Sequence, residues 1–292
     1  MSTASKLVFI AIALGLLFGG LRWFERINIY FPSRELSLHP GSLGIPYEDV
    51  LFQSEDGLLL HGWFLDAAQP MPDKPLPFRP PLPAAEPLQS KSGRPPVLVL
   101  FHGNAGNVSN RIEKLAIFRK LGLSAFVFDY RGYGRSQGSP SEQGTYRDGL
   151  AAVDLLTRDM GYAPQELVYY GESLGCAVAL ETALRRPPQA LVLDSGFTST
   201  VEMGRRTFPF LPVRWMVRFR YDNLSKIGGL KVPLLVLHSP QDDIVPFDMG
   251  QANFAAAPRP KIFVETRGDH NEGFADTPYW AQAIRDFLAE LF

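Results

Sequence analysis

The chain has 292 residues, of which 46% are hydrophobic and 20% charged, and its formal net charge is −1. That composition fits one large α/β domain or two small ones, and it offers no basic excess for nucleic acid. The single cysteine, Cys176, excludes an intramolecular disulfide.

Residues 7–21 read LVFIAIALGLLFGGL between Lys6 and Arg22, with Trp23 and Phe24 beyond. The run is short against the roughly 20 apolar residues that cross a bilayer, but the two aromatics extend it as an interfacial belt would. A cleaved signal peptide is the rival reading, although no A-x-A site follows. Residues 1–24 are therefore expected to be an uncleaved, single-pass membrane anchor. Arg22, Arg26 and Arg34 on its far side lean the orientation toward a cytoplasmic catalytic domain. Residues 25–46 read as a connector.

A domain over 47–292 follows. Residues 47–53 and 58–65 flank Ser54-Glu-Asp-Gly57, a hairpin signal. Residues 67–96 are dense in proline and read as a surface insertion. The pattern then alternates. Strands are expected over 97–101, 124–129, 166–170, 190–194, 232–238 and 261–265. Helices are expected over 110–121, 143–160, 247–257 and 278–291, with one more behind Ser173. Such alternation predicts an α/β fold, a mostly parallel sheet with helices on both faces, whose ligands sit at the carboxyl ends of the strands.

Four post-strand loops carry chemistry. Gly171-Glu-Ser173-Leu-Gly175 lies between a β-branched, aromatic run and a run of small helix formers, so Ser173 stands at a strand–turn–helix apex. The second G-x-S-x-G, around Ser136, is followed by Gly138, Ser139 and Pro140 and reads as loop. Acyl transfer puts negative charge on a carbonyl oxygen, which main-chain N–H groups stabilise. The loop His102-Gly-Asn104-Ala-Gly106 and the residue after the nucleophile are the places for them, giving Asn104 and Leu174 as the expected oxyanion donors. His102 as a base is the lesser reading, since a histidine there more often orients the loop. His270, after the last strand, is the expected general base. Its acid partner is expected in Ser239-Pro-Gln-Asp242-Asp243, where two carboxylates compete; Asp194 and Asp248 are lower alternatives. Cys176 reads as a small core residue. No metal-ligand spacing is present, and neither metal nor cofactor is expected.

The run Phe128-Asp-Tyr-Arg-Gly-Tyr-Gly-Arg-Ser136, with His102-Gly-Asn-Ala-Gly-Asn107, Gly171-Glu-Ser-Leu-Gly175, Asp194-Ser-Gly-Phe-Thr-Ser199 and Arg220-Tyr-Asp-Asn-Leu224, resembles the α/β-hydrolases of the BEM46-like, ABHD13/ABHD17-related group. The resemblance runs from about residue 47 to the end and implies an α/β-hydrolase fold. In that family the acid follows a His-Gly-x-x-Asp pattern, which falls on Asp242, with Ser239 in place of the usual glycine. The resemblance also implies a membrane-associated serine hydrolase acting on esters or thioesters. Residues 197–227 interrupt the alternation where such enzymes carry a cap, and they mix Phe208, Phe210, Trp215 and Phe219 with Arg205, Arg206, Arg214, Arg218 and Arg220.

The expected activity is hydrolysis of a carboxylic ester or thioester of a lipid or acylated protein through an acyl-serine. The expected partners are that acyl substrate and membrane lipid, through the N-terminal helix and the cap, with no nucleic acid. A peptidase or acyltransferase on the same fold is the rival among enzymes. A membrane-tethered, non-catalytic scaffold is the rival outside them.

Overall fold

The computed structural model describes residues 3–71 and 88–292. From the N-terminus come α1 (Thr3–Ile29), β1 (Phe31–Pro32) and a hairpin of β2 (Glu48–Gln53) and β3 (Leu59–Leu65). Next are β4 (Val97–Phe101), β5 (Ala105–Gly106), α2 (Ile112–Lys120), β6 (Ser124–Phe128), α3 (Glu142–Asp154), β7 (Leu167–Glu172), α4 (Leu174–Arg185) and β8 (Ala190–Asp194). Three short helices, α5 (Thr200–Thr207), α6 (Val213–Met216) and α7 (Asn223–Lys226), interrupt the alternation. The chain ends with β9 (Leu234–His238), α8 (Phe247–Ala256), β10 (Lys261–Glu265), α9 (Gly273–Asp276) and α10 (Trp280–Ala289).

Among the described residues the main sheet has eight strands in the order β10-β9-β8-β7-β4-β6-β3-β2. Six of them, β4 and β6 to β10, run parallel, and β3 joins β6 antiparallel. The period of two appears directly in the packing. In β4, Val97, Val99 and Phe101 enter one core with Val153 of α3 and Val178 of α4, whereas Leu98 and Leu100 enter the other with Phe118 of α2 and Trp280 of α10. Strands buried on both faces need apolar residues at every position, which is why these segments read as continuous runs. The chain leaves β4 for β6 on one side and returns to β7 on the other. The carboxyl ends of β4 and β7 therefore border the crevice where connections diverge.

The N-terminus differs from expectation. Helix α1 continues five residues past the expected end of the anchor, and among the described residues no helix is long and apolar enough to cross a membrane. Arg22, Glu25 and Arg26 in its last turns cut the apolar run short, so the expected single-pass anchor is not found. Nor does the segment 25–46 merely connect. Phe31 and Pro32 pair in parallel with Ala105 and Gly106, and Tyr30 is buried, its hydroxyl 2.7 Å from that of Tyr221. The middle of the expected proline-rich insertion, residues 72–87, lies outside the described residues. Its C-terminal flank is docked: Leu88 and Ser90 are buried, and Arg94 pairs with Glu166 at 2.8 Å.

Candidate active site

Strand β7 stops at Glu172 and α4 starts at Leu174, leaving Ser173 alone to turn the chain. It does so at φ 53°, ψ −116°, a conformation that L-residues rarely adopt. The strain is held by its surroundings. Ser173 N donates to the Asp194 carbonyl oxygen at 2.9 Å, and the flanking positions admit only glycine. A Cβ on Gly175 would lie 1.9 Å from the Phe101 carbonyl oxygen, and one on Gly171 would lie 2.6 Å from Cys176 Cα. The spacing G-x-S-x-G is thus a steric requirement of a sharp strand-to-helix turn.

Ser173 Oγ is 3.0 Å from His270 Nε2, and His270 Nδ1 is 2.8 Å and 3.0 Å from the two Asp242 carboxylate oxygens. His270 sits on a turn begun by Gly268 at φ +84°, and its main-chain N donates to Asp243 at 3.1 Å. Each of the two adjacent aspartates thus meets a different part of one histidine. Asp242 also accepts from Ile244 N at 3.0 Å and Val245 N at 2.7 Å, and His238 Nε2 approaches it at 3.4 Å. Burial pushes its pKa up, but hydrogen bonds from His238 and His270 outweigh burial and hold the carboxyl well below the usual range. For His270 burial acts downward, and the Asp242 carboxylate overcomes it, so the imidazolium is favoured above its ordinary value. Glu172, next to the serine, is drawn down to about 2: burial opposes ionisation, and Arg111 and Lys114 outweigh it. Arg111 and Lys114 stand 3.2 Å and 3.4 Å from its carboxylate.

The lesser candidates are accounted for by packing. Ser136 is fully buried, donates to the Asp129 carbonyl oxygen at 2.6 Å and accepts from His61 N at 3.0 Å. His102 is fully buried with Nδ1 2.7 Å from the Gly103 carbonyl oxygen, and burial takes the ring down to about 4. Asp194 accepts from the Tyr170 hydroxyl, and Asp248 pairs with Arg206 on the surface at 2.6 Å. Cys176 Sγ is buried 3.2 Å from the Gly171 carbonyl oxygen, and burial pushes the thiol far up.

Asn104 and Leu174 both line the cavity that opens over Ser173. Among the described residues neither main-chain N–H donates to a turn, loop or side-chain acceptor. The Asn104 side chain is fixed instead: its Oδ1 accepts from Phe31 N at 3.3 Å and from the Tyr133 hydroxyl at 3.2 Å. The cavity measures about 340 Å³, within the range of small-molecule sites. Its walls are mostly apolar, with Phe197, Met203, Phe208 and Val213 from the 197–227 segment and Ile244 from the loop after β9. Sequence reasoning missed a further part of the wall, Leu21, Phe24, Glu25, Asn28 and Ile29 of α1. Among the described residues no cluster of three or more metal-ligating side chains is present.

The chain has counterparts among known proteins. Residues 94–221 match the family described as serine aminopeptidase, S33. An uncharacterised protein of Mycobacterium tuberculosis is 37% identical over 268 residues, covering 91% of this chain and 88% of that protein. The alpha/beta hydrolase domain-containing protein WAV2 of Arabidopsis thaliana is 32% identical, covering 81% of this chain and 77% of its own. An uncharacterised membrane protein of Saccharomyces cerevisiae is 31% identical, covering 86% and 82%. Among solved structures, the esterase Pf2001 of Pyrococcus furiosus superposes with a TM-score of 0.67 at 20% identity, covering 89% of this chain and 98% of that one, a likeness of fold.

Proposed function

The chain belongs to the α/β-hydrolase superfamily, and from that premise we propose that it is a membrane-associated serine esterase cleaving an acyl ester or thioester. The observation that carries the reading is the hydrogen-bonded series from Ser173 through His270 to Asp242, opening on an apolar cavity. The quoted motifs support a place in the BEM46-like subgroup.

Ser173 Oγ attacks the acyl carbonyl carbon while His270 Nε2 takes its proton. Asp242 holds the imidazole with Nε2 free for that proton and stabilises the imidazolium that forms. The carbonyl oxygen becomes an oxyanion facing the Leu174 and Asn104 amides. The tetrahedral intermediate collapses, the C–O or C–S bond breaks, and His270 gives its proton to the departing alkoxide or thiolate. Water then attacks the acyl-serine, passing a proton to His270, and a second collapse frees the acid and restores Ser173.

The aminopeptidase description of the matching family would need an anionic group to hold a substrate's terminal ammonium. Glu25 is the carboxylate in the cavity wall, but its oxygens already accept from Arg218 N, Phe219 N and Arg22 Nη1. An acyl chain suits the remaining walls.

The membrane reading rests on surface chemistry rather than on a spanning helix. Leu7, Phe9, Leu16 and Phe18 of α1 are more than half exposed. Residues 197–227 act as a cap whose Phe210 and Trp215 stand 95% and 86% exposed beside Arg214 and Arg218. Aromatics below arginines fit an anionic interface. The test is hydrolysis of p-nitrophenyl acyl esters in detergent micelles by the full chain. We expect turnover that rises with chain length and falls by about five to six orders of magnitude in Ser173→Ala. Preference for the acetate ester in micelles would refute the lipid-like substrate, and full turnover by Ser173→Ala would refute the mechanism.

A further inference from the structure

The esterase reading leaves open why the N-terminal helix stands inside the catalytic site. Its outer turns are exposed, while Leu21, Phe24, Glu25, Asn28 and Ile29 of its last turns line the same cavity as Ser173. Here α1 is tied to the cap at three residues, Arg22, Phe24 and Glu25. The Glu25 carboxylate, 6% exposed, accepts from the main-chain N–H of Arg218 and, at 2.7 Å, from that of Phe219. Arg22 holds the same carboxylate at 2.8 Å and donates to the Met216 carbonyl oxygen. Phe24 meets Phe208 edge-on, ring centres 6.2 Å apart. Residues 216–219 form the return segment of the cap, and a buried carboxylate accepting two main-chain N–H groups is directional and costly to lose.

We propose that the last two turns of α1 are the acyl-chain wall of the site and that Glu25 is the positioning residue that holds the cap against it. Chain-length selectivity is then a property of the N-terminal helix, not of the hydrolase core alone. The helix whose bare half meets lipid also carries the wall along which an acyl chain lies. This inference rests on the esterase reading above. It adds a residue that touches neither Ser173 nor His270.

Alkyl fluorophosphonates with ethyl and dodecyl chains report the wall without turnover. Second-order rates of serine modification are measured on the full chain in one detergent, for wild type, Glu25→Ala, Glu25→Gln and Phe24→Ala. The dodecyl-to-ethyl rate ratio is expected to fall about tenfold in Glu25→Ala and in Phe24→Ala, the size of effect that lost apolar contacts have on selectivity. Glu25→Gln keeps an oxygen that accepts from both amides, so it should retain most of the ratio. An unchanged ratio in Glu25→Ala and Phe24→Ala overturns the proposal, as does an equal fall of both rates, which would make α1 a mere prop. A wild type that reacts with neither probe overturns the esterase reading instead.

Discussion

Ser173 concentrates the residue-scale argument. Its positive φ is tolerable only because Gly171 and Gly175 leave room for the neighbouring backbone. Gly175→Ala puts a methyl carbon onto the Phe101 carbonyl oxygen, and because backbone cannot yield cheaply, the expected outcome is a destabilisation of about 3 kcal/mol or more, read from the urea midpoint. His270 must be neutral to accept the serine proton. Its pKa is shifted upward from the ordinary 6.5 by Asp242, which overcomes burial, so kcat/KM should fall as pH drops, with a midpoint above 6.5. Asp242→Asn removes the favourable charge and leaves burial, which moves that midpoint downward, and kcat should fall by about 10⁴-fold. A pH–rate profile of the two proteins checks both. A midpoint that stays in place would mean that another group sets it. The placement of Ser173 and His270 was legible because each follows a strand, and strands buried on both faces announce themselves. The choice between Asp242 and Asp243 was not legible from composition. Neighbouring carboxylates differ only in which way a turn points them, and here the resemblance of a motif pointed to Asp242.

At the scale of elements, the run from Asp129 to Ser136 is the plainest motif of the chain, and its work is structural. Arg131 is buried, pairs with the fully buried Asp148 at 2.7 Å and with Asp56 at 2.7 Å, and so ties the β2–β3 turn to α3. Arg131→Met leaves Asp148 without its charge partner and should lower stability by about 3–5 kcal/mol, measured by urea unfolding. An unchanged midpoint would show that Asp148 re-pairs or protonates without loss. The N-terminal segment was read only in part. The helix was visible as an apolar run, but Tyr30, Phe31 and Glu25 meet partners 191, 73 and 193 positions away. No local periodicity records such contacts, so a connector was the natural reading of residues that in the fold brace the Asn104 loop and residues 218–221.

For the whole molecule, a net charge of −1 hides local features: the outer turns of α1 and the aromatics Phe210 and Trp215 are exposed, with Arg214 and Arg218 close to these aromatics in the chain. Binding to vesicles containing phosphatidylglycerol should therefore have two parts. Arg214→Gln and Arg218→Gln should each weaken binding about fivefold at low salt and little at high salt, because exposed charge is screened. Phe210→Ala with Trp215→Ala should weaken it at both. Sedimentation with vesicles at two ionic strengths separates these contributions, and equal binding by all variants would remove the cap from the membrane surface. The mostly parallel sheet and its two helical layers followed from alternation in the chain, whereas the strand order is set by which edges pair in the fold. The position of α1 on the molecule did not, since it depends on one carboxylate and a few rings meeting a distant segment.

The central claim is that Ser173 is the nucleophile, and the most direct test is to label the full chain with a fluorophosphonate and locate the adduct by peptide mass spectrometry. The account predicts one adduct, on the peptide containing Ser173, absent in Ser173→Ala and retained in Ser136→Ala. Labelling that survives in Ser173→Ala and disappears in Ser136→Ala would contradict it.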